Sequence, residues 1–210
     1  MKLYEQVMPA GQKDVLRRVG AQADDAGFYL CGGTAVAIRL GHRRSMDLHW
    51  FTSEGISDPM VLAQSFRHRG MNLVVTEVSQ GTLHAVSDGV RLSFIEYRYP
   101  LIRDLLPWPK YECSLASLED LACMKLSALA GRGARKDFID VYALGITAFP
   151  VSEMLELYRE KYEPEDMGHV VMSLSYFDDA EQDHMPEMIW DVSWDEIRRT
   201  IESWVRGVIA

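Results

Sequence analysis

Apolar and polar residues follow two periods along this chain. Val15, Leu16, Val19 and Ala23 recur at helical spacing with Arg17, Arg18 and Asp24 between them, which predicts a helix over 1–26 ended by Gly27. Phe28 to Cys31 reads as a short strand running into Gly32-Gly33. Thr34 is then placed to N-cap a helix from Ala35 to Leu40, which Gly41 closes. After a turn at 42–45, Met46 to Phe51 alternates as a second strand. Asp58-Pro59 opens a helix to Arg69, a cap followed by proline in the first turn. Three strands follow, over 73–78, 83–87 and 90–97. Their turns are at Gln80-Gly81 and Asp88-Gly89, the second a strong hairpin signal.

Prolines at 100, 107 and 109 make the next stretch read as irregular, and the later pattern is helical. Ser117-Leu118-Glu119-Asp120 resembles a capping box for a helix to about Ala130. Further helices are expected at 134–144 and 152–161, after Pro164, and from Ser193 onward. The expectation is an α+β fold, with a sheet-bearing domain over 1–110 and a helical region over 111–210 that completes the site.

Composition adds little to the fold and more to the environment. With 210 residues the chain can bury a full core, and 48% hydrophobic with 25% charged residues is ordinary globular composition. No run approaches the ~18 apolar residues of a membrane span, and the first residues do not read as a signal peptide. Cys31, Cys113 and Cys123 lack CxxC spacing and fit buried thiols in a reducing compartment, so a cytoplasmic location without a membrane is expected. The net charge of -9 is uneven. Residues 150–210 hold 5 basic and 15 acidic side chains, while the first 149 hold 17 and 16. Acidity therefore says little about the first part, where Arg39, Arg43 and Arg44 neighbour the Gly-Gly turn. The acidic end reads as a solvated face, as a docking surface for a basic partner, or as a fence that restricts which RNA can approach.

Candidate chemistry begins at Gly32-Gly33-Thr34. Glycines at a strand end followed by a helix N-terminus leave backbone N–H groups open to phosphate. On the next strand Asp47 and His49 share one face, and a carboxylate beside a phosphate cradle suits a Mg²⁺-nucleotide site. Glu96, between Ile95 and Tyr97, is a candidate further metal ligand. Lys125 and Arg132 are seven apart, so they share a helix face if that helix persists. Asp137 and Asp140 are i, i+3 neighbours on the next helix. Converging cations there would bind a nucleotide tail. One pocket-sized site requires Asp47, Glu96, Lys125 and Asp137 within about 15 Å of one another. No histidine pair has zinc-ligand spacing.

Together these elements resemble a known family. Residues 28–35 and 40–48, the Lys125-x6-Arg132 element, and Arg135-Lys136-Asp137-Phe138-Ile139-Asp140 are similar to the motifs of the AbiEii/AbiGii nucleotidyltransferase toxins. So are 176–181, Met185-Pro186 and 193–196. The resemblance implies a polymerase-β-like nucleotidyltransferase fold, a mixed sheet with flanking helices and a helical C-terminal part. It implies a nucleoside triphosphate substrate, Mg²⁺, an RNA (transfer RNA in some members) or protein hydroxyl as acceptor, and an antitoxin partner. It implies metal ligation by Asp47 and Glu96, phosphate contact at Gly32, Gly33, Thr34 and Arg44, triphosphate contact by Lys125 and Arg132, and a base or orienting role for Asp137.

The sequence departs from the family at one point. The family motif is Asp-x-Asp, and here it is Asp47-Leu48-His49. Imidazole suits Mn²⁺ better than Mg²⁺ and adds no negative charge at neutral pH. Three readings stay open: transfer on one well-held metal, transfer with Mn²⁺ ligated by Asp47, His49 and Glu96, or nucleotide binding without turnover.

Overall fold

The computed structural model describes residues 2–209. Its centre is a seven-stranded mixed sheet of β1 (Tyr29–Cys31), β2 (Leu48–Thr52), β3 (Val74–Ser79), β4 (Thr82–Ser87), β5 (Val90–Glu96), β6 (Leu106–Trp108) and β7 (Cys113–Leu115). The spatial order is β3-β4-β5-β2-β1-β7-β6. β2 pairs in parallel with β5, β1 in parallel with β7, and the remaining pairs are antiparallel. Among the described residues nine α-helices surround it: α1 (Ala10–Asp25), α2 (Gly32–Leu40), α3 (Pro59–His68), α4 (Leu118–Arg132), α5 (Arg135–Thr147), α6 (Val151–Tyr162), α7 (Gly168–Ser173), α8 (Asp178–Gln182) and α9 (Trp194–Ile209).

Several local expectations agree with this architecture for the reasons that generated them. Asp58 accepts from Met60 N and Val61 N ahead of α3, with Pro59 in the first turn. The Ser117 hydroxyl accepts from Asp120 N at the start of α4. Asp88 and Gly89 both have positive φ, as the tight turn between β4 and β5 requires.

Four differences have physical causes. The first helix starts at Ala10, because Pro9 has no N–H with which to continue the short 3-10 turn at Glu5–Val7. β2 starts at Leu48, because the Thr34 hydroxyl takes the Asp47 carbonyl in place of a strand neighbour. Thr34 lies inside α2 and Cys31 is the N-cap residue. The sheet also runs past residue 110. Leu115 pairs with Leu30, and Pro107 sits opposite Ser114 on an edge strand, where a missing N–H breaks no ladder. One hydrophobic core joins the two halves.

The two faces of the sheet differ. Leu48, Trp50, Leu83, Leu92 and Phe94 are buried on one face, where Phe28 and Phe66 of the α1 and α3 layer close on Phe94. On the opposite face Cys31, His49, Ser93 and His84 stand level with one another across β1, β2, β5 and β4. α4 lies over that face and packs on α2, α5 and α6. Among the described residues no single helix is long and apolar enough to cross a membrane.

Two glycines of α1 test this packing. A methyl at Gly20 falls on the Tyr111 carbonyl oxygen, whereas Gly11 faces open space. Gly20→Ala is expected to destabilise by about 2 kcal/mol or more. Gly11→Ala is expected to stabilise by up to about 1 kcal/mol. Urea unfolding of the two variants checks the contrast, and equal midpoints would contradict it.

Candidate active site

Between the sheet and α4 lies a two-lobed cleft. The first lobe, about 360 Å³, is mainly apolar. Phe51, Ile95, Tyr97, Leu121 and Met124 line it, with His84 and Ser127 as polar exceptions. The second lobe, about 280 Å³, is charged and contains Arg44, Asp47, Arg91 and Lys136. Gly33, His49, Lys125 and Arg132 line both and mark their junction.

The junction is built on buried charges. Asp140, fully buried on α5, accepts from Arg43 Nε at 2.7 Å and Nη2 at 2.8 Å, and lies 2.8 Å from His42 Nε2 and 2.6 Å from Lys125 Nζ. Burial by itself would raise the Asp140 carboxyl, but Arg43 and Lys125, with the His42 hydrogen bond, hold it well below the usual range. Asp137 accepts from Lys125 Nζ at 2.9 Å and takes a two-pronged contact from Arg132, at 2.7 and 2.9 Å. Burial opposes its ionisation as well, and Lys125 and Arg132 again lower its pKa.

The α2 N-terminus opens on the cleft at Gly32 and Gly33. Gly32 has a φ of +69°, and a Cβ there would lie 3.3 Å from His49 Nδ1. A Cβ on Gly33 would strike Arg43 Nη2. The paired glycines are therefore required by the close approach of the His49 and Arg43 side chains.

Most candidate residues converge here in altered roles. Gly32, Gly33, Arg44, Asp47, His49, Lys125 and Arg132 line the cleft. Thr34 does not: it is fully buried, and its hydroxyl fixes the Asp47 carbonyl and lies 2.8 Å from Ser45 Oγ. Lys125 is buried between two carboxylates, which leaves one of its three N–H donors for the cleft. Asp137 is not a base, since both of its oxygens are held by cations.

Glu96 is excluded by register. It pairs with Thr52, on the face opposite Asp47 and His49, and lies roughly 16 Å along β5 from the Asp47 level. There it accepts from Ile56 N at 3.0 Å and pairs with Arg98. The condition that Asp47, Glu96, Lys125 and Asp137 share one pocket is not met.

Arg91 and Ser93 join Ile95 as the β5 positions that face the cleft. Arg91 grips Asp47 through Nε at 2.8 Å and Nη2 at 3.2 Å. Ser93 is level with His49 and bonds His84 Nδ1 at 2.9 Å. Sequence reasoning missed Arg91, although the parallel β2–β5 pairing, once known, identifies it. It also missed the C-terminal strap at Pro186-Glu187, which closes the charged lobe. There Arg44 pairs with Glu187 at 2.6 Å, and Arg43 bridges Met188.

The side chains present do not fit a two-Mg²⁺ centre. Asp47 is the sole carboxylate of its motif, and both of its oxygens are taken by Arg91. His49 replaces the second carboxylate, and Glu96 faces away. Among the described residues no group of three His, Cys, Asp or Glu side chains is arranged to hold a metal ion.

Comparison with known proteins identifies the family and the fold. A family model described as nucleotidyl transferase AbiEii toxin, type IV TA system, matches residues 85–204. The chain belongs to the AbiEii nucleotidyltransferase toxin family. An uncharacterized Aquifex aeolicus protein is 32% identical over 197 residues, covering 93% of this chain and 94% of that one. The fold is similar to MenT4, a nucleotidyltransferase toxin from Mycobacterium tuberculosis, with a TM-score of 0.59 at 13% identity over 93% of this chain and 82% of the other. It is also similar to a candidate nucleotidyltransferase from H. pylori, with a TM-score of 0.55 at 13% identity, covering 94% and 92%. The expected nucleotidyltransferase fold, a mixed sheet with flanking helices, is thus the observed one.

Two outcomes follow for this AbiEii-family chain. Asp140→Asn leaves Arg43 and Lys125 without their shared counter-charge and is expected to cost about 3–5 kcal/mol in urea unfolding. The second concerns His49, whose ring burial pushes its pKa down from 6.5 to about 4, with Asp47 opposing and Lys125 assisting. A neutral imidazole in the folded state protonates first in the unfolded chain. Its contribution to stability is full above about pH 6.5 and is lost as pH falls toward about 4, by on the order of 3 kcal/mol. Unfolding curves across that window for wild type and His49→Gln check this; parallel pH profiles would contradict it.

Proposed function

We propose that the two-lobed cleft binds a nucleoside triphosphate, with the base in the apolar lobe and the phosphates in the charged lobe. The observation that carries this reading is the junction. There the open N-terminus of α2 meets His49, Arg132 and the uncommitted N–H of Lys125, between an aromatic wall and a basic one. Phe51 and Tyr97 offer ring faces to a base. Arg132, Lys136, Arg44 and Arg91 offer donors to phosphate oxygens. Because the residues do not fit two Mg²⁺ ions, the reading is of a toxin-family protein that binds nucleotide without two-metal transfer.

A second reading is favoured by Asp47, whose carboxylate remains 26% exposed at the cleft. It is nucleotidyl transfer from the triphosphate to a hydroxyl of RNA, transfer RNA among the candidates, or of protein. The family context also supports an antitoxin protein as partner. Asp178 and Asp179 are exposed to a basic surface, whereas Glu181 and Asp183 are engaged by Arg198 and by the Arg135 backbone.

Labelled triphosphates incubated with total RNA and Mg²⁺ or Mn²⁺ separate the two readings. Binding without labelled product is the expected result, with Arg132→Ala weakening affinity by about tenfold or more. Labelled RNA that is lost in Asp47→Ala would replace the first reading with the second.

A further inference from the structure

We propose that the cleft takes its nucleoside triphosphate free of a divalent cation, with the Arg91 guanidinium laid across Asp47 supplying positive charge that metal ions supply in two-metal transfer. This inference rests on the triphosphate reading above.

Charge balance is the first argument. A site rich in carboxylates repels a polyphosphate, and a divalent cation between them removes the repulsion. Here six basic side chains line the charged lobe against Asp47 and Glu187. With the buried Asp137 and Asp140 included, the surplus is still positive. Like charges close together near a protein surface repel strongly, so each carboxylate absent from the lobe removes a repulsion that a divalent cation would otherwise have to screen.

The geometry of Arg91 is the second. The parallel register that sets Ser93 beside His49 also sets Arg91 level with Asp47 on the cleft face. Its two contacts to Asp47 use Nε and one N–H of Nη2. Three of its five N–H donors stay uncommitted, on a side chain 71% exposed to the cleft mouth. An arginine in that pose matches phosphate oxygens in the plane of its fork.

His49 is the third. Its Nδ1 is buried without a hydrogen-bond partner, at the N-terminus of α2. In place of the family's second carboxylate, the imidazole brings no negative charge to the lobe. The β5 neighbour that faces it, Ser93, carries no charge either.

Calorimetry on the full chain tests this, with ATP, GTP, CTP and UTP each titrated in EDTA and in excess Mg²⁺. At least one triphosphate is expected to bind in EDTA with a Kd no looser than about threefold above its Mg²⁺ value. Arg91→Gln is expected to weaken binding in EDTA by about tenfold and to regain affinity with Mg²⁺, because the bared Asp47 then faces the phosphates. His49→Asp is expected to do the same by adding a carboxylate. Circular dichroism melts confirm that each variant is folded; the head group of Arg91 is in solvent, so that variant decides the matter if His49→Asp does not fold. Binding in Mg²⁺ alone would overturn the inference and leave the triphosphate reading standing. Failure of all four triphosphates in both buffers would remove that reading and the inference with it. An Arg91→Gln protein that binds like wild type in EDTA would remove Arg91 from the role.

Discussion

Asp140 is the point on which the cleft depends. It is a fully buried carboxylate that meets His42, Arg43 and Lys125, from the segment after α2 and from α4, while it belongs to α5. The segment after α2, nearly a hundred residues away in sequence, and the consecutive helices α4 and α5 are therefore fixed by one side chain. The desolvation of such a cluster offsets much of its Coulombic gain, so its effect is on position more than on stability. It sets where α4 lies over the sheet, and hence the height of the cleft. It also dictates a residue elsewhere: Arg43 reaches Asp140 across Gly33, where a side chain would block the path.

Local signals in the sequence were sufficient for most elements. The Asp58 and Ser117 caps, the Asp88-Gly89 turn and the glycine stops at 41 and 133 act within a few residues of themselves, so the chain reveals them without tertiary information. The failures share a different character. Pro107 and Pro109 argue against a strand unless the strand is known to lie at an edge, and edge position is a property of the whole sheet. Glu96 and Arg91 are both charged residues of β5, and nothing local separates them. The β2–β5 register decides, because an offset of one residue reverses every side chain from one face to the other.

The same limit applies to charge. An overall -9 suggests a surface averse to phosphate, yet the residues that line the charged lobe are mostly basic. Their acidic counterparts, Asp137 and Asp140, are buried behind them and internally paired. Field strength at a site depends on which charges face it and which are neutralised by neighbours. Counting over the chain loses both distinctions, and splitting the count at residue 149 recovers part of the first.

The family motif separates here into two parts with different physical duties. Gly33, Arg43, Lys125, Arg132, Asp137 and Asp140 hold one another in a closed set of ion pairs and contacts, with no vacancy that a metal must fill. This part builds the junction of the cleft whatever chemistry is performed there. The second part is the set of positions that face the cleft at and beside β2 and β5. In this chain those positions are Asp47, held by Arg91, followed by His49 and Ser93. Matching the Gly-Gly, Lys-x6-Arg and Lys-Asp-x-x-Asp elements therefore identifies the fold, because those residues are what assemble the junction. The cleft-facing Asp47, His49 and Ser93 lie outside that set of ion pairs.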